Sequence, residues 1–294
     1  MTVAMQRVKR VSLNSQVFAL NAKKLVPGQI ERHVSTSTYL KNTRGVDVYL
    51  PPHYQPAQTR YPVLYMHDGN NLFFKDIAFG GMPWGIDRVL NHLIAIQRIP
   101  PLIVVGVYNT VGRNSEYTWR PMKSRWGTEG GEGPRYAHYL CEELKPFIDQ
   151  RYATLTGPEY TGVMGSSLGG LISFYLGCYY SHVFGKVGMV SPSLWWNRGE
   201  ALQEAYHYPQ GSQLWLDMGT REGRRGGRVD QNPNIQNVRR LAHILQGRGY
   251  RLGEDLGYLE DRGGLHNEWW WGQRSHLALL FLFGTPTARR LILK

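Results

Sequence analysis

Gly165-Ser-Ser-Leu-Gly169 sets Ser167 at the centre of a Gly-x-Ser-x-Gly pentapeptide. In this arrangement a serine stands on a sharp turn from strand to helix, with its hydroxyl clear of the backbone. Glycines two residues to either side, here Gly165 and Gly169, let neighbouring chain pass where a Cβ would clash. Upstream, Glu159-Tyr-Thr-Gly-Val-Met164 is an apolar run of strand length, and downstream the residues from Leu168 to Gly177 have the spacing of a buried helix. That context distinguishes Ser167 from an incidental serine in a glycine-rich packing turn.

A serine hydroxyl is a weak nucleophile at neutral pH, so it needs a base to take its proton and an acid to orient the base. In a chain built around such an elbow the acid, and then the histidine, follow the serine. The histidines beyond Ser167 are His182, His207, His243, His266 and His276. His243 and His276 fall inside helical patterns. His266 stands in Arg262-Gly-Gly-Leu-His-Asn-Glu268, a loop between the last strand pattern and the last helix pattern. Loops at strand ends carry side chains to the carboxyl edge of a sheet, where the serine also emerges. The acid of first choice is Glu222, in Met218-Gly-Thr-Arg-Glu-Gly223 just past a strand pattern, with Asp230 and Asp217 as alternatives.

The chemistry also needs two backbone N–H groups aimed at a developing oxyanion. Leu168, directly after the serine, would give one; Asn70 or Gly69, in the turn His67-Asp-Gly-Asn-Asn71, would give the other. His67 and Asp68 read as groups that stabilise that turn. Trp84, Tyr117, Trp195 and Trp196 are candidates for the wall of an acyl or sugar pocket, with core packing as the competing account of each.

The elements that must position these residues alternate. Strand patterns cover 31–40, 45–50, 61–66, 102–108, 159–164, 186–190, 213–218 and 252–259, and helical patterns cover 84–96, 136–151, 168–177, 200–206, 234–246 and 270–283. Strands alternating with helices imply an α/β fold with a mostly parallel sheet and helices on both faces. A polar, glycine-rich stretch over 109–134 is long enough for a binding loop or lid, or for a disordered segment. The expected organisation is an N-terminal extension over 1–30 and one domain over 31–294.

With 294 residues, 42% of them hydrophobic and 19% charged, the composition is that of a globular enzyme able to bury a large core. No apolar run reaches the roughly 18 residues needed to span a bilayer, so no membrane association is expected. The N-terminus is basic but lacks an apolar signal segment, which leads to the expectation of a cytoplasmic protein. Cys141 and Cys178 read as buried free thiols, and no cysteine spacing suggests a metal cluster. The net charge of +12 attracts anions without identifying a partner. Its densest patch, Arg221-Glu-Gly-Arg-Arg-Gly-Gly-Arg228, lacks the interleaved aromatics of a nucleic-acid site and reads as a solvated loop.

Taken together, seven segments resemble the α/β-hydrolases of the family called "Putative esterase", which includes esterase D, feruloyl and acetyl xylan esterases, enterochelin esterases and mycolyltransferases. They are Val48-Tyr-Leu-Pro-Pro52, Tyr65-Met-His-Asp-Gly-Asn-Asn-Leu-Phe73, Arg113-Asn-Ser-Glu-Tyr117, Gly165-Ser-Ser-Leu-Gly-Gly170, Ser191-Pro-Ser-Leu-Trp-Trp196, Met218-Gly-Thr-Arg-Glu-Gly223 and Gly263-Gly-Leu-His266. The resemblance runs from about residue 31 to 284 and implies an α/β-hydrolase fold and a serine carboxylic ester hydrolase. By the same resemblance Ser167 is the nucleophile, His266 the base and Glu222 the acid, where many members carry Asp. It implies a small-molecule ester substrate and no metal or organic cofactor. An acyltransferase of the same fold, or a binding protein on a hydrolase scaffold, are the alternatives.

Overall fold

The computed structural model describes residues 26–124, 127–223 and 229–292. The strands are β1 (Gln29–Ser37), β2 (Asn42–Leu50), β3 (Val63–His67), β4 (Ile103–Val107), β5 (Pro121–Ser124), β6 (Gly127–Gly130), β7 (Thr161–Ser166), β8 (Lys186–Val190), β9 (Gln213–Gly219) and β10 (Leu256–Asp261). Eight of them form one sheet in the order β1-β2-β4-β3-β7-β8-β9-β10, while β5 and β6 make a separate hairpin. From β4 to β10 the neighbours are parallel, and β1 and β2 extend the sheet antiparallel at one edge.

The central strands have the composition that this position demands. β3, β4 and β7 are buried at every residue, as expected for parallel strands covered on both faces. Successive side chains point to opposite faces, so Tyr65 joins the core that packs on the helices Leu168–Tyr179 and Pro233–Gly247. Its neighbours Leu64 and Met66 join the core under Ile86–Ala95 and Glu268–Phe283. This is the α/β-hydrolase arrangement, and its parallel strands bring their carboxyl ends to one edge of the sheet. No helix among the described residues is long and apolar enough to cross a membrane.

Differences from the sequence expectation have local causes. The last strand begins at Leu256 rather than 252, because residues 251–255 close a turn in which the Asp255 carboxylate accepts the Arg251 N–H and Leu256 N–H bonds Arg251 O. The helical pattern over 136–151 starts earlier, at Gly133, and passes through a π-helical stretch, Tyr139–Leu144, before Lys145–Arg151. The widened turns fall just before Pro146, which has no N–H to give the helix. Of the expected N-terminal extension, residues 1–25 lie outside the described residues, and β1 opens at Gln29.

The stretch over 109–134 is largely built. It holds a helical turn, Arg113–Glu116, and the β5–β6 hairpin, and it is tied down at several points. Arg44 of β2 grips Glu116 through both terminal nitrogens at 2.9 and 2.8 Å. The Tyr117 hydroxyl accepts the Asp68 N–H at 3.1 Å, and Trp119 Nε1 donates to Glu204 at 2.9 Å. Cys141 and Cys178 are free and partly buried.

Candidate active site

β7 ends at Ser166, and Ser167 follows with φ 59° and ψ −120° before the helix Leu168–Tyr179 begins. A non-glycine residue held there is strained and persists only if its surroundings fix it. They do: Ser167 N donates to Val190 O, and Ser193 N donates to Ser167 O, each at 3.0 Å. Gly165 is the glycine the turn cannot replace, since a Cβ on it would lie 2.8 Å from the Gly169 carbonyl carbon and 2.9 Å from His67 Cδ2. At Gly169 the nearest atom would be His67 Cβ at 3.3 Å, a far milder conflict. Gly170 lets the helix press on β8, with Val190 O 2.9 Å from its Cβ position.

The structure brings Ser167, His266 and Glu222 together. His266 Nε2 lies 2.9 Å from Ser167 Oγ, and His266 Nδ1 lies 2.8 Å from Glu222 Oε2. An ionised carboxylate only accepts, so Nδ1 carries the proton and Nε2 is left as the acceptor for the serine hydroxyl. The imidazole packs against Trp271 in a T-shaped pair, with ring centroids 4.8 Å apart. Ser193 Oγ is also 3.1 Å from Ser167 Oγ.

Glu222 is buried, and its second oxygen is occupied. Oε1 accepts from Ser191 Oγ at 2.6 Å, from Gly219 N at 2.8 Å and from Arg274 Nη2 at 3.2 Å. Burial alone would raise its pKa, but the hydrogen bond from His266 and the charge of Arg274 together hold it below the usual carboxylate value. Of the alternative acids, Asp217 is fully buried and accepts from Trp215 Nε1 at 2.8 Å and Arg274 Nε at 3.0 Å, and its burial raises its pKa. Asp230 is exposed on the turn Val229–Gln231. Of the basic loop, residues 224–228 lie outside the described residues.

Leu168 opens its helix, where the first N–H groups have no intrahelical acceptor. Asn70 and Gly69 sit in the turn Gly69–Asn71. Asn70 lines the cavity at Ser167, whereas Gly69 is packed on β4, with its Cβ position 2.2 Å from the Gly106 carbonyl carbon.

That cavity is about 500 Å³. Asp68, Asn70, Asn71, Asn109, Arg113, Asn267 and Glu268 supply polar groups, and Ile77, Phe79, Met82 and Trp271 supply apolar surface. Phe79 is 74% exposed at the mouth. Trp84, Tyr117, Trp195 and Trp196 are not among the lining residues. Trp84 is buried against Trp271 and beside Gly272, where it borders a different cavity. Tyr117 is fully buried with its hydroxyl on Asp68 N, and Trp196 is buried with Nε1 bonded to Arg120 O. Trp195 is half exposed on the loop that follows Ser193.

His67 and Asp68 do other work than holding their turn. Asp68 makes no cap; its carboxylate accepts from Arg113 Nε at 2.6 Å, Arg113 Nη2 at 2.8 Å and Asn109 Nδ2 at 2.6 Å inside the cavity. His67 is buried behind the elbow, 2.9 Å from the Tyr136 hydroxyl, and burial pushes its pKa down to about 3. Sequence reasoning gave no role to the Asp68–Arg113 pair, Ser191, Ser193 or Arg274. The one available signal was an arginine in a helix pattern that otherwise holds tryptophans on one side of it and a long run of leucine and phenylalanine on the other.

A family model described as "Putative esterase" matches residues 37–278. The chain is 27% identical to YbbA of Bacillus subtilis (strain 168) over 254 residues, 85% of this chain and 96% of that one. It is 26% identical to the ferri-bacillibactin esterase BesA of the same organism over 200 residues, 62% of this chain and 64% of BesA. Among solved structures it resembles the enterobactin esterase FES of Shigella flexneri, with a TM-score of 0.68 at 20% identity over 86% of this chain and 58% of that chain. A ferulic acid esterase of Anaeromyces mucronatus superposes with a TM-score of 0.63 at 19% identity, over 94% of this chain and 93% of that one. With more than half of its length matched by the family model and this fold around its site, the chain belongs to the "Putative esterase" family and is an esterase of the α/β-hydrolase fold.

Proposed function

We propose that the chain hydrolyses a carboxylic ester through an acyl-enzyme on Ser167. The observation that carries this reading is the unbroken line of hydrogen bonds from Ser167 Oγ through both nitrogens of His266 to Glu222 Oε2. His266 Nε2 takes the serine proton as Oγ attacks the ester carbonyl, and Glu222 stabilises the imidazolium that forms. The N–H of Leu168, with that of Asn70 or Gly69, receives the oxyanion. His266 then protonates the leaving alcohol, which departs as the serine ester forms. Water attacks that ester with its proton passing to His266, and collapse of the second tetrahedral species returns the acid and the free serine. Every proton moves through His266, so the reaction calls for no cofactor.

The substrate class follows from the cavity. Apolar surface at Ile77, Phe79 and Met82 beside the amides of Asn70, Asn71, Asn109 and Asn267 suits an ester with an apolar ring or chain and hydrogen-bonding substituents. The solved structures of like fold include an enterobactin esterase, determined also in the presence of 2,3-dihydroxy-N-benzoyl-serine, and a ferulic acid esterase, and the benzoyl group of that compound is in keeping with this reading. Steady-state hydrolysis of p-nitrophenyl and aryl-acyl esters by the parent and Ser167→Ala proteins tests it. The variant is expected to lose at least about 10⁴-fold in kcat while keeping its fold. Parental turnover in Ser167→Ala would remove the serine from the mechanism.

A further inference from the structure

Below the line from Ser167 to Glu222 lies a cluster of charges that the hydrolytic reading leaves unused. Arg274 is buried in the helix Glu268–Phe283, between Gln273 and Ser275. Its Nε is 3.0 Å from Asp217 Oδ1, its Nη1 is 3.5 Å from Asp261 Oδ2, and its Nη2 is 3.2 Å from Glu222 Oε1 and 2.6 Å from Ser191 Oγ. Three carboxylates therefore share one guanidinium. Glu222 alone continues to His266, through Oε2, while Ser191, Gly219 and Arg274 all hold Oε1. Rotating that carboxylate away from the imidazole would break three bonds on its far side. Ser191, which both receives from Arg274 and donates to Glu222, is itself fixed at φ 43° at the end of β8.

We propose that Arg274 is a positioning residue for ester hydrolysis: with Ser191 it clamps Glu222 Oε1, so that Oε2 faces His266 Nδ1 and the carboxylate stays charged while it does so. This rests on the serine-hydrolase reading above. The planar fork is what the geometry uses, because one guanidinium reaches Asp217, Asp261, Ser191 and Glu222 at once. The charged groups around His266 and Glu222 are Asp217 on β9, Asp261 at the end of β10, Arg274, and across the cavity Glu268 with the Asp68–Arg113 pair. Without Arg274 the surroundings of Glu222 are more negative, which favours its protonated form, and loss of the carboxylate charge moves the acid limb of the pH profile upward.

The test is the pH dependence of kcat and kcat/KM in Arg274→Met and Arg274→Lys. In Arg274→Met the acid limb should move up by about one pH unit and kcat should fall about 100-fold, with KM within about twofold. Arg274→Lys keeps the charge but not the fork, so its limb should stay in place while kcat falls about 10-fold. A parental kcat in Arg274→Lys, or a limb that does not move in folded Arg274→Met, overturns the proposal and leaves Arg274 a structural counter-ion. Should Arg274→Met fail to fold, kcat in Arg274→Lys decides. The far-downfield proton resonance of a histidine Nδ1–H held on a carboxylate gives a second readout that needs no turnover. It should weaken or move in Arg274→Lys, and an unchanged resonance counts against the clamp. If Ser167→Ala retains parental activity, it is the hydrolytic reading that fails, and the resonance still reports on Glu222.

Discussion

At the scale of single residues, two buried carboxylates five positions from one another compete for the role beside His266, and their hydrogen bonds separate them. Glu222 bonds His266 through one oxygen, while Asp217 spends both oxygens on Trp215, Ser191 and Arg274. Glu222→Gln should lower kcat about 10³-fold, since an amide in that place no longer stabilises the imidazolium. Asp217→Asn should lower kcat less than tenfold yet cost about 3 kcal/mol of stability, because it weakens the pairing of a buried cation. Kinetics and urea unfolding of both variants check this, and a larger kinetic loss in Asp217→Asn would reverse the two roles. That Ser167, Glu222 and His266 would come together was legible because the chemistry expected of them restricts residue type and their order along the chain is limited. The aromatics were not. Nothing in the type of Trp84 says that it turns away from Ser167; its place is set by Gly272 and Trp271 on a helix 180-odd residues further along.

Among elements, the strand, turn and helix that carry Ser167 form one mechanical unit. Its tolerance is asymmetric. Ala at 165 would drive a Cβ into the Gly169 backbone and the His67 ring, neither of which can yield, so Gly165→Ala should cost about 3 kcal/mol and about 10²-fold in kcat as Ser167 is displaced. Gly169→Ala meets only contacts of 3.3 Å and beyond and gains helix propensity, so its stability should stay within about 1 kcal/mol of the parent. Thermal melts and activity of the pair test the contrast, and equal damage from both would refute it. The periodicity of β3, β4, β7 and their helices was readable because burial on both faces demands continuous apolar runs. The start of β10 and the π-helical stretch at 139–144 were not, since each depends on one local interaction, the Asp255 turn and Pro146, that does not alter the apolar pattern.

For the whole molecule, stability should fall on acidification, and His67 is one reason. Its folded pKa of about 3 lies below the ordinary 6.5, so between those values the unfolded chain binds a proton that the native chain refuses. Stability contributed by keeping His67 neutral is complete above about pH 6.5 and declines by about 1.4 kcal/mol per pH unit as pH falls toward 3. His33 and His92, also lowered by burial, steepen the same slope. In urea unfolding between pH 7 and pH 4, His67→Gln should show a slope shallower by about one proton, and a parental slope would show that His67 protonates readily in the native state. The global α/β layout was legible from the alternation of elements. That the stretch over 109–134 is built into the body was not, because its anchors, Arg44 to Glu116 and Asp68 to Arg113, join residues more than 40 positions apart.

Those anchors bear on the thermodynamics of recognition. The wall that carries Asn109 and Arg113 is held by ion pairs from Glu116 to Arg44 and from Arg113 to Asp68, and by the contact of the Tyr117 ring with His67 at the end of β3. An incoming substrate therefore meets a mould already set, and little of its affinity is consumed in ordering the receptor. Selectivity should then lie in the fit of the acyl and alcohol groups to the contour that these residues set.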